Sequence, residues 1–178
     1  MNSCKAVFLD RDGIINYDNS YVHKISDFEF VKGIFDLLIY LMKKDFKLFI
    51  VTNQSGISRG YYTLNDFKIL NQWMLKQFEN KSILISEVKY CPHNDDDNCL
   101  CRKPSPKLVN ELVDKYAINR EDSWFIGDKI SDIECGINSK IRNTILVNDN
   151  NNEILDNNKI LIKPTYIVNS INEIKNII

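Results

Sequence analysis

The chain has 178 residues, of which 44% are hydrophobic and 26% charged, and its formal net charge is −1. This length and balance predict one globular domain spanning 1–178, and the near-zero charge argues against bulk binding to nucleic acid or to a membrane surface. No run of about 18 apolar residues predicts a membrane span, and the N-terminal residues do not resemble a secretory signal. We therefore expect a cytoplasmic protein. Its five cysteines are an odd number, which argues against a disulfide scaffold.

Apolar runs alternate along the chain with segments of helical periodicity. Strands are predicted at 6–10, 47–53, 86–91, 123–128 and 143–148, with a sixth candidate at 165–168. Helices are predicted at 33–46, 63–80, 105–118 and about 130–139, and a tail helix begins near Ser170. Thr63 and Asp66 form a variant capping box, and Pro106 falls in the first turn of the third helix. The asparagine-rich stretch 148–159 is predicted to be a polar surface loop.

This alternation predicts an α/β protein with a doubly wound, Rossmann-like parallel sheet of five to six strands and helices on both faces. In such sheets, ligands bind beyond the carboxyl ends of the strands. No long insertion follows the first or third strand, so we expect no cap domain and a fairly open site. Since a cap often supplies a dimer contact, we also expect a monomer.

Carboxylates occur where the first and fourth strands end. Asp10 and Asp12 lie in "FLDRDG", and Asp128 lies in "GDKISD". Two carboxylates so close together repel each other unless a cation lies between them, and Mg²⁺ binds such groups together with phosphate oxygens. The alternative is that Asp10 caps a helix and Asp12 is a turn residue before Gly13.

Groups suited to a phosphoryl ligand follow the second strand and precede the third helix. "VTNQSG" offers hydroxyl, amide and backbone N–H donors, and its polar residues are Thr52, Asn53, Gln54 and Ser55. An ordinary polar turn is the alternative. Arg102 and Lys103 in "CRKP" stand before a helix start, where two cations are poorly placed unless an anion neutralises them. Lys129 adds a third cation, so we expect a phosphate ester bound with Mg²⁺.

Four residues with metal-binding side chains fall in the segment 91–101. Cys91, His93, Cys99 and Cys101 have the spacing C-x-H-x5-C-x-C, which satisfies a structural, tetrahedral Zn²⁺. Buried small residues or chance thiols are the alternatives, and the acidic run 95–97 is interpreted as a solvated loop. Because the zinc loop ends at Arg102, we expect the metal to hold the two cations against the substrate.

The order of "FLDRDG", "VTNQSG", "CRKP" and "GDKISD" over residues 8–136 resembles that of the haloacid-dehalogenase-like phosphatases. The resemblance implies that Asp10 is a nucleophile forming an aspartyl-phosphate and that Asp12 is the general acid and base. It also implies that Thr52 and Lys103 hold the transferring phosphoryl group. Mg²⁺ would be bound by Asp10, Asp128 and the backbone carbonyl of Asp12.

The zinc loop is similar to that of two groups of relatives. The spacing from His93 to Cys99 resembles histidinol-phosphate phosphatases, whereas the segment 16–33 resembles D-glycero-D-manno-heptose 1,7-bisphosphate 7-phosphatases of nucleotide-activated heptose synthesis. The second resemblance has more weight, because this segment follows the catalytic loop and would contact the leaving group. It implies a sugar bisphosphate substrate contacted by Asp18, Asn19, Ser20, Tyr21, Asn53, Gln54, Ser55, Arg102 and Lys129.

Two further residues of the segment 16–33 are interpreted. Asp18 would also suit the imidazolium of histidinol phosphate, and His23 is interpreted as a supporting residue.

A non-catalytic, receiver-like module or a degenerate scaffold is the alternative from another class of protein. Receiver domains need neither the Asp10–Asp12 pair nor a zinc loop, and every expected catalytic residue type is present.

Overall fold

The computed structural model describes residues 3–148 and 163–178. Six parallel strands form one sheet in the order β3-β2-β1-β4-β5-β6. The strands are β1 (Ala6–Leu9), β2 (Lys47–Asn53), β3 (Ile85–Cys91), β4 (Trp124–Gly127), β5 (Asn143–Val147) and β6 (Tyr166–Val168). The α-helices are α1 (Ile34–Lys43), α2 (Leu64–Glu79), α3 (Lys107–Tyr116) and α4 (Ile130–Asn138). Short 3-10 helices span Ile25–Asp27, Asp95–Asp97 and Ile171–Asn176.

The predicted doubly wound sheet is confirmed, and its elements agree with the sequence to within a few residues. Thr63 caps α2, since its hydroxyl accepts from the Asp66 amide while the Asp66 carboxylate accepts from the Thr63 amide. Pro106 was placed one position too late, because it is the N-cap of α3 and not part of its first turn. The tail element is a 3-10 helix that begins after Ser170. Apart from Asn148, the polar loop predicted at 148–159 lies outside the described residues.

Alternating side chains of the strands build two separate cores. In β1, Val7 and Leu9 face a core shared with α1, α2 and the C-terminal 3-10 helix. Ala6 and Phe8 face the other core, which includes residues of α3 and α4. All four β1 side chains are buried, as expected for a central parallel strand covered on both faces.

Three phenylalanine rings lie side by side across the central strands, on the face covered by α3 and α4. The centroids of Phe8 and Phe49 are 5.5 Å apart, and those of Phe8 and Phe125 are 6.2 Å apart. All three side chains are fully buried. These rings form an apolar floor directly beneath the carboxyl ends of β1, β2 and β4.

The loop between β1 and α1 and the loop between β3 and α3, both within residues 3–148, each contain one short 3-10 helix and no other helix or strand. The site at the carboxyl edge of the sheet is therefore bordered by loops and not by a cap domain. None of the helices in residues 3–148 and 163–178 has the length and apolarity needed to cross a membrane.

Candidate active site

A polar cleft of about 280 Å³ opens at the carboxyl edge of the sheet. The strand order reverses between β1 and β4, and this is where doubly wound sheets bind ligands. Most of the predicted site residues line the cleft: Asp10, Asp12, Asp18, Ser20, Tyr21, Asn53, Gln54, Ser55, Arg102, Lys103 and Lys129. Sequence analysis missed three other lining residues, Tyr62, Ser131 and Asp132.

Lys103 reaches the base of the cleft and makes two buried ion pairs. Its ammonium lies 2.7 Å from Oδ1 of Asp10 and 2.7 Å from Oδ1 of Asp132. Burial alone would lower the pKa of Lys103, but the two carboxylates outweigh it and hold that pKa above its usual value. The cation expected to need an anion is thus already neutralised by carboxylates. Asp132 stands in the same "GDKISD" segment as Asp128, and this was the signal that could have identified it.

Asp10, Asp128 and Asp132 form an acidic cluster in which one carboxylate oxygen from each lies within 4.8 Å of the others. Burial and the neighbouring carboxylates raise the pKa of Asp128 to about 8. Burial also raises the pKa of Asp10 to about 6, although Lys103 opposes the change. Within the described residues, Oδ1 of Asp128 is buried without a hydrogen-bond partner. This donor set fits a hard divalent cation, which would relieve the repulsion and occupy the unpartnered oxygen.

Gly13 allows Asp128 to approach the loop after β1. Its φ of +93° is one that L side chains rarely adopt, and a Cβ built there would lie 2.2 Å from Oδ2 of Asp128. The glycine of the "DRDG" segment is thus explained by backbone conformation and by close contact with a carboxylate of the acidic cluster.

Asp12 lies apart from the acidic cluster and accepts hydrogen bonds from three side chains. Arg11 is fully buried and donates to both carboxylate oxygens, while Asn16 donates at 3.0 Å and Gln54 at 2.9 Å. Burial acts to raise the pKa of Asp12, but Arg11 and the two amide donors outweigh it and lower that pKa. All three donors around Asp12 therefore favour its carboxylate form.

Gln54 connects Asp12 to Thr52. Its Nε2 donates to Oδ2 of Asp12 at 2.9 Å and to Oγ1 of Thr52 at 2.8 Å, while its Oε1 accepts from the Tyr62 hydroxyl at 2.6 Å. All polar atoms of the Gln54 side chain are therefore engaged within the protein. Thr52 is buried at the end of β2, beneath the cleft that Gln54 lines.

The remaining predicted substrate residues divide between the cleft and its edge. Lys129 pairs with Asp18 at 2.9 Å, and Ser20 and Tyr21 both have positive φ values in the adjoining turn. Asn19 lines a neighbouring cavity, so the structure does not bring it into the cleft with the others. His23 stacks on Tyr62 with ring centroids 5.0 Å apart, which agrees with a supporting role.

The four predicted zinc ligands come together at the end of β3. The sulfurs of Cys91, Cys99 and Cys101 lie 3.0–3.6 Å apart, and Nδ1 of His93 lies 3.2 Å from Cys101 and 3.6 Å from Cys91. Tetrahedral Zn²⁺ with bonds of about 2.3 Å separates two sulfurs by about 3.8 Å, so the cluster fits the ion after a small expansion.

Asp95, between the zinc ligands His93 and Cys99, links the zinc loop to two arginines. It forms ion pairs with Arg102, which follows the last ligand, and, at 3.8 Å, with Arg59 in the loop after β2. The Arg102 guanidinium also donates to the His93 carbonyl at 3.4 Å. Arg102 is thus held by the zinc-ligand loop at the mouth of the cleft.

Comparisons with known proteins show the family to which the chain belongs. A family model described as HAD-hydrolase-like matches residues 100–174. The chain is 46% identical over 151 residues to the D-glycero-beta-D-manno-heptose-1,7-bisphosphate 7-phosphatase of Helicobacter pylori, an alignment that covers 84% of this chain and 87% of the relative. It is 47% identical over 149 residues to the D-glycero-alpha-D-manno-heptose-1,7-bisphosphate 7-phosphatase of Campylobacter jejuni, covering 84% and 86%.

A solved structure is similar over almost the whole chain. The crystal structure of D,D-heptose 1,7-bisphosphate phosphatase from B. bronchiseptica, complexed with magnesium and phosphate, superposes with a TM-score of 0.86. The sequences are 23% identical, and the match covers 97% of this chain and 96% of the other, so this likeness supports the fold. From its identity to the curated relatives, the chain belongs to the family of D-glycero-D-manno-heptose-1,7-bisphosphate 7-phosphatases, which are HAD-like hydrolases.

Proposed function

We propose that this protein is a Mg²⁺-dependent phosphatase that removes the 7-phosphate of D-glycero-D-manno-heptose 1,7-bisphosphate through an aspartyl-phosphate intermediate. One observation carries the chemistry: Asp10 lines a polar cleft, where it pairs with Lys103 and belongs to an acidic cluster with Asp128 and Asp132. The substrate is inferred from two relatives, both heptose-1,7-bisphosphate 7-phosphatases, which share 46–47% identity with this chain.

Asp10 is the proposed nucleophile. In the first step, its carboxylate oxygen forms a bond to phosphorus while the bond from phosphorus to the ester oxygen breaks. Lys103 and Thr52 hold the phosphoryl oxygens, and the ammonium lowers the repulsion between the carboxylate and the incoming phosphate. The position of Lys103 beside Asp10 supports this assignment.

Asp12 is the proposed general acid and base. It gives a proton to the departing sugar oxygen, and in the second step it takes a proton from the water that attacks phosphorus and releases Asp10. The donors around Asp12 favour the carboxylate, which is the form that the second step requires. A phosphate dianion bound nearby raises the pKa of Asp12 by like-charge repulsion, so substrate binding favours the acid form for the first step.

Two metal ions are part of the proposal. Asp10 and Asp128, with the backbone carbonyl of Asp12, would hold Mg²⁺, and the acidic cluster adds Asp132 beside them. When bound, Mg²⁺ neutralises negative charge on the carboxylates and the phosphate. Cys91, His93, Cys99 and Cys101 would hold a structural Zn²⁺.

The polar lining of the cleft supports a hydroxyl-rich substrate. Asp18, Ser20, Ser55 and Lys129 offer donors and acceptors near the mouth, and Arg102 is placed for a second anionic group. We propose that the chain acts as a single-domain, cytoplasmic monomer that binds neither nucleic acid nor membranes.

A parallel assay tests this proposal. Phosphate release from D-glycero-D-manno-heptose 1,7-bisphosphate, as alpha and beta anomers, is compared with release from histidinol phosphate, each with Mg²⁺ and with EDTA. We expect kcat/KM for one heptose anomer to be at least about 100-fold higher than for histidinol phosphate, since binding energy from groups remote from the reacting phosphate accelerates the reaction. Equal or faster release from histidinol phosphate would exclude the heptose assignment.

The variant Asp10→Asn tests the chemistry separately from the substrate. It leaves the cleft nearly unchanged in size but removes the nucleophilic oxygen, so activity on every ester should disappear. Wild-type protein that releases phosphate no faster than Asp10→Asn would exclude the enzyme assignment.

A further inference from the structure

Three hydrogen bonds hold the side-chain amide of Gln54 in one orientation. Its Oε1 accepts from the Tyr62 hydroxyl, and both Nε2 hydrogens are directed to acceptors, Oδ2 of Asp12 and Oγ1 of Thr52. Were the amide rotated by half a turn, its oxygen would face the Asp12 carboxylate, which only accepts hydrogen bonds. The Tyr62 hydroxyl adds to this preference, because it donates its proton to the amide oxygen in the observed orientation.

The Tyr62 ring is itself held in place by contacts with His23 and Gly56. The His23 ring stacks on it at 5.0 Å with an interplanar angle of 7°. Gly56 lies against the ring, and a Cβ built on this glycine would be 2.2 Å from Cε1 of Tyr62. The hydroxyl is buried with Gln54, and burial raises the pKa of Tyr62 to about 12, so it remains protonated.

We propose that Tyr62 is a positioning residue, which acts through the Gln54 amide to keep Asp12 aligned for proton transfer. This inference rests on the proposed function of Asp12. It assigns Gln54 a role different from that of a substrate contact, because both ends of the amide already have partners within the protein. Tyr62 itself is separated from Asp12 by the whole amide group.

The variant Tyr62→Phe removes the hydroxyl and keeps the ring between His23 and Gly56. A misaligned Asp12 affects the sugar ester most, because an alkoxide needs a proton to leave, whereas nitrophenolate leaves without one. For the heptose bisphosphate, we expect kcat to fall about 10-fold with KM changed less than about twofold, and for p-nitrophenyl phosphate a fall below about threefold.

Two further variants separate positioning from stability. Tyr90→Phe is the matched control, since Tyr90 packs on Phe67 and its hydroxyl makes no hydrogen bond within residues 3–148 and 163–178. It should keep wild-type rates and a wild-type urea midpoint. In a Gln54→Leu background, adding Tyr62→Phe should cause no further loss, because the connection to Asp12 is already broken.

The outcomes are distinct. Equal losses on both esters, additive losses in the double variant or unchanged rates in Tyr62→Phe would each overturn this role of Tyr62 while leaving the phosphatase assignment intact. Wild-type protein inactive on both esters would overturn the proposed function, and this role would fall with it.

Discussion

Asn53 and the backbone of Lys103 are joined by a reciprocal pair of hydrogen bonds. The Asn53 amide donates to the Lys103 carbonyl at 3.1 Å, and the Lys103 amide donates to Oδ1 of Asn53 at 3.0 Å. This pair connects the end of β2 to a segment 50 residues further along the chain. Asn53 was predicted from the sequence to contact the substrate, but its side chain instead bonds the backbone of Lys103 and positions that residue.

Asn53→Ala should reduce phosphatase activity by releasing this segment. We expect kcat/KM to fall about 10-fold, because a small displacement of the Lys103 ammonium weakens its contacts to Asp10 and phosphate. Steady-state kinetics with the heptose bisphosphate would measure this. Asn80→Ala, at the exposed C-terminus of α2, is the control and should keep wild-type kinetics. Unchanged kinetics in Asn53→Ala would contradict the positioning role of the pair.

Lys103→Met should destabilise the protein as well as inactivate it. The change leaves Asp10 and Asp132 buried without the ammonium that lies 2.7 Å from each. Breaking a buried ion pair by removing one partner lowers the free energy of unfolding by about 3 kcal/mol. Urea denaturation in EDTA would measure this loss.

A second variant tests the cause of that loss. Adding Asp132→Asn to Lys103→Met removes one of the two uncompensated charges, so part of the stability should return while activity stays absent. Equal stability of the single and double variants would show that charge burial is not the cause.

Gly13→Ala should weaken the response to Mg²⁺. The new Cβ would lie 2.2 Å from Oδ2 of Asp128 and would need a φ of +93°. We expect kcat/KM to fall more than about 100-fold, with a higher Mg²⁺ concentration for half-maximal rate.

Gly60→Ala is the matched control for this variant. Its φ is +73°, but a Cβ there meets no atom within 4 Å. It should therefore lower stability by about 1 kcal/mol through backbone strain and leave the Mg²⁺ dependence unchanged. Similar kinetics for the two alanine variants would contradict the proposed contact with Asp128.

Loss of the proposed zinc ion should weaken substrate binding without removing a catalytic group. Protein purified without chelator should contain about one zinc ion per chain, and Cys99→Ser should lose it. Because Arg102 is held by the ligand loop, KM should rise several-fold with a smaller effect on kcat. Metal analysis and kinetics would show this, with Cys4→Ser as the control cysteine outside the cluster. An unchanged KM after zinc loss would show that the zinc loop does not contribute to substrate binding.

The sequence was sufficient for the four inner strands, because these apolar runs are covered on both faces of the sheet and carry few exposed polar residues. It also placed the carboxylates and the thiol cluster, since strand ends and short-range spacing are local properties. Asp132 was missed because its role depends on an ion pair with Lys103, from a distant segment. Tyr62 was missed for the same reason, because its hydrogen bond to Gln54 depends on the folded conformation of the loop between them.

The phenylalanine floor limits how water reaches the reacting phosphorus. Phe8 lies two residues before Asp10, and the Lys103 ammonium lies 5.9 Å from the centroid of Phe125, so the proposed nucleophile lies next to buried, close-packed aromatic rings. Water would then have to enter by the mouth through which the dephosphorylated sugar departs. In the proposed mechanism, the sugar therefore leaves first, the phosphorylated Asp10 persists until water enters, and inorganic phosphate leaves second. Small alcohols that enter by that mouth should intercept the phosphoenzyme and emerge as their own phosphate esters.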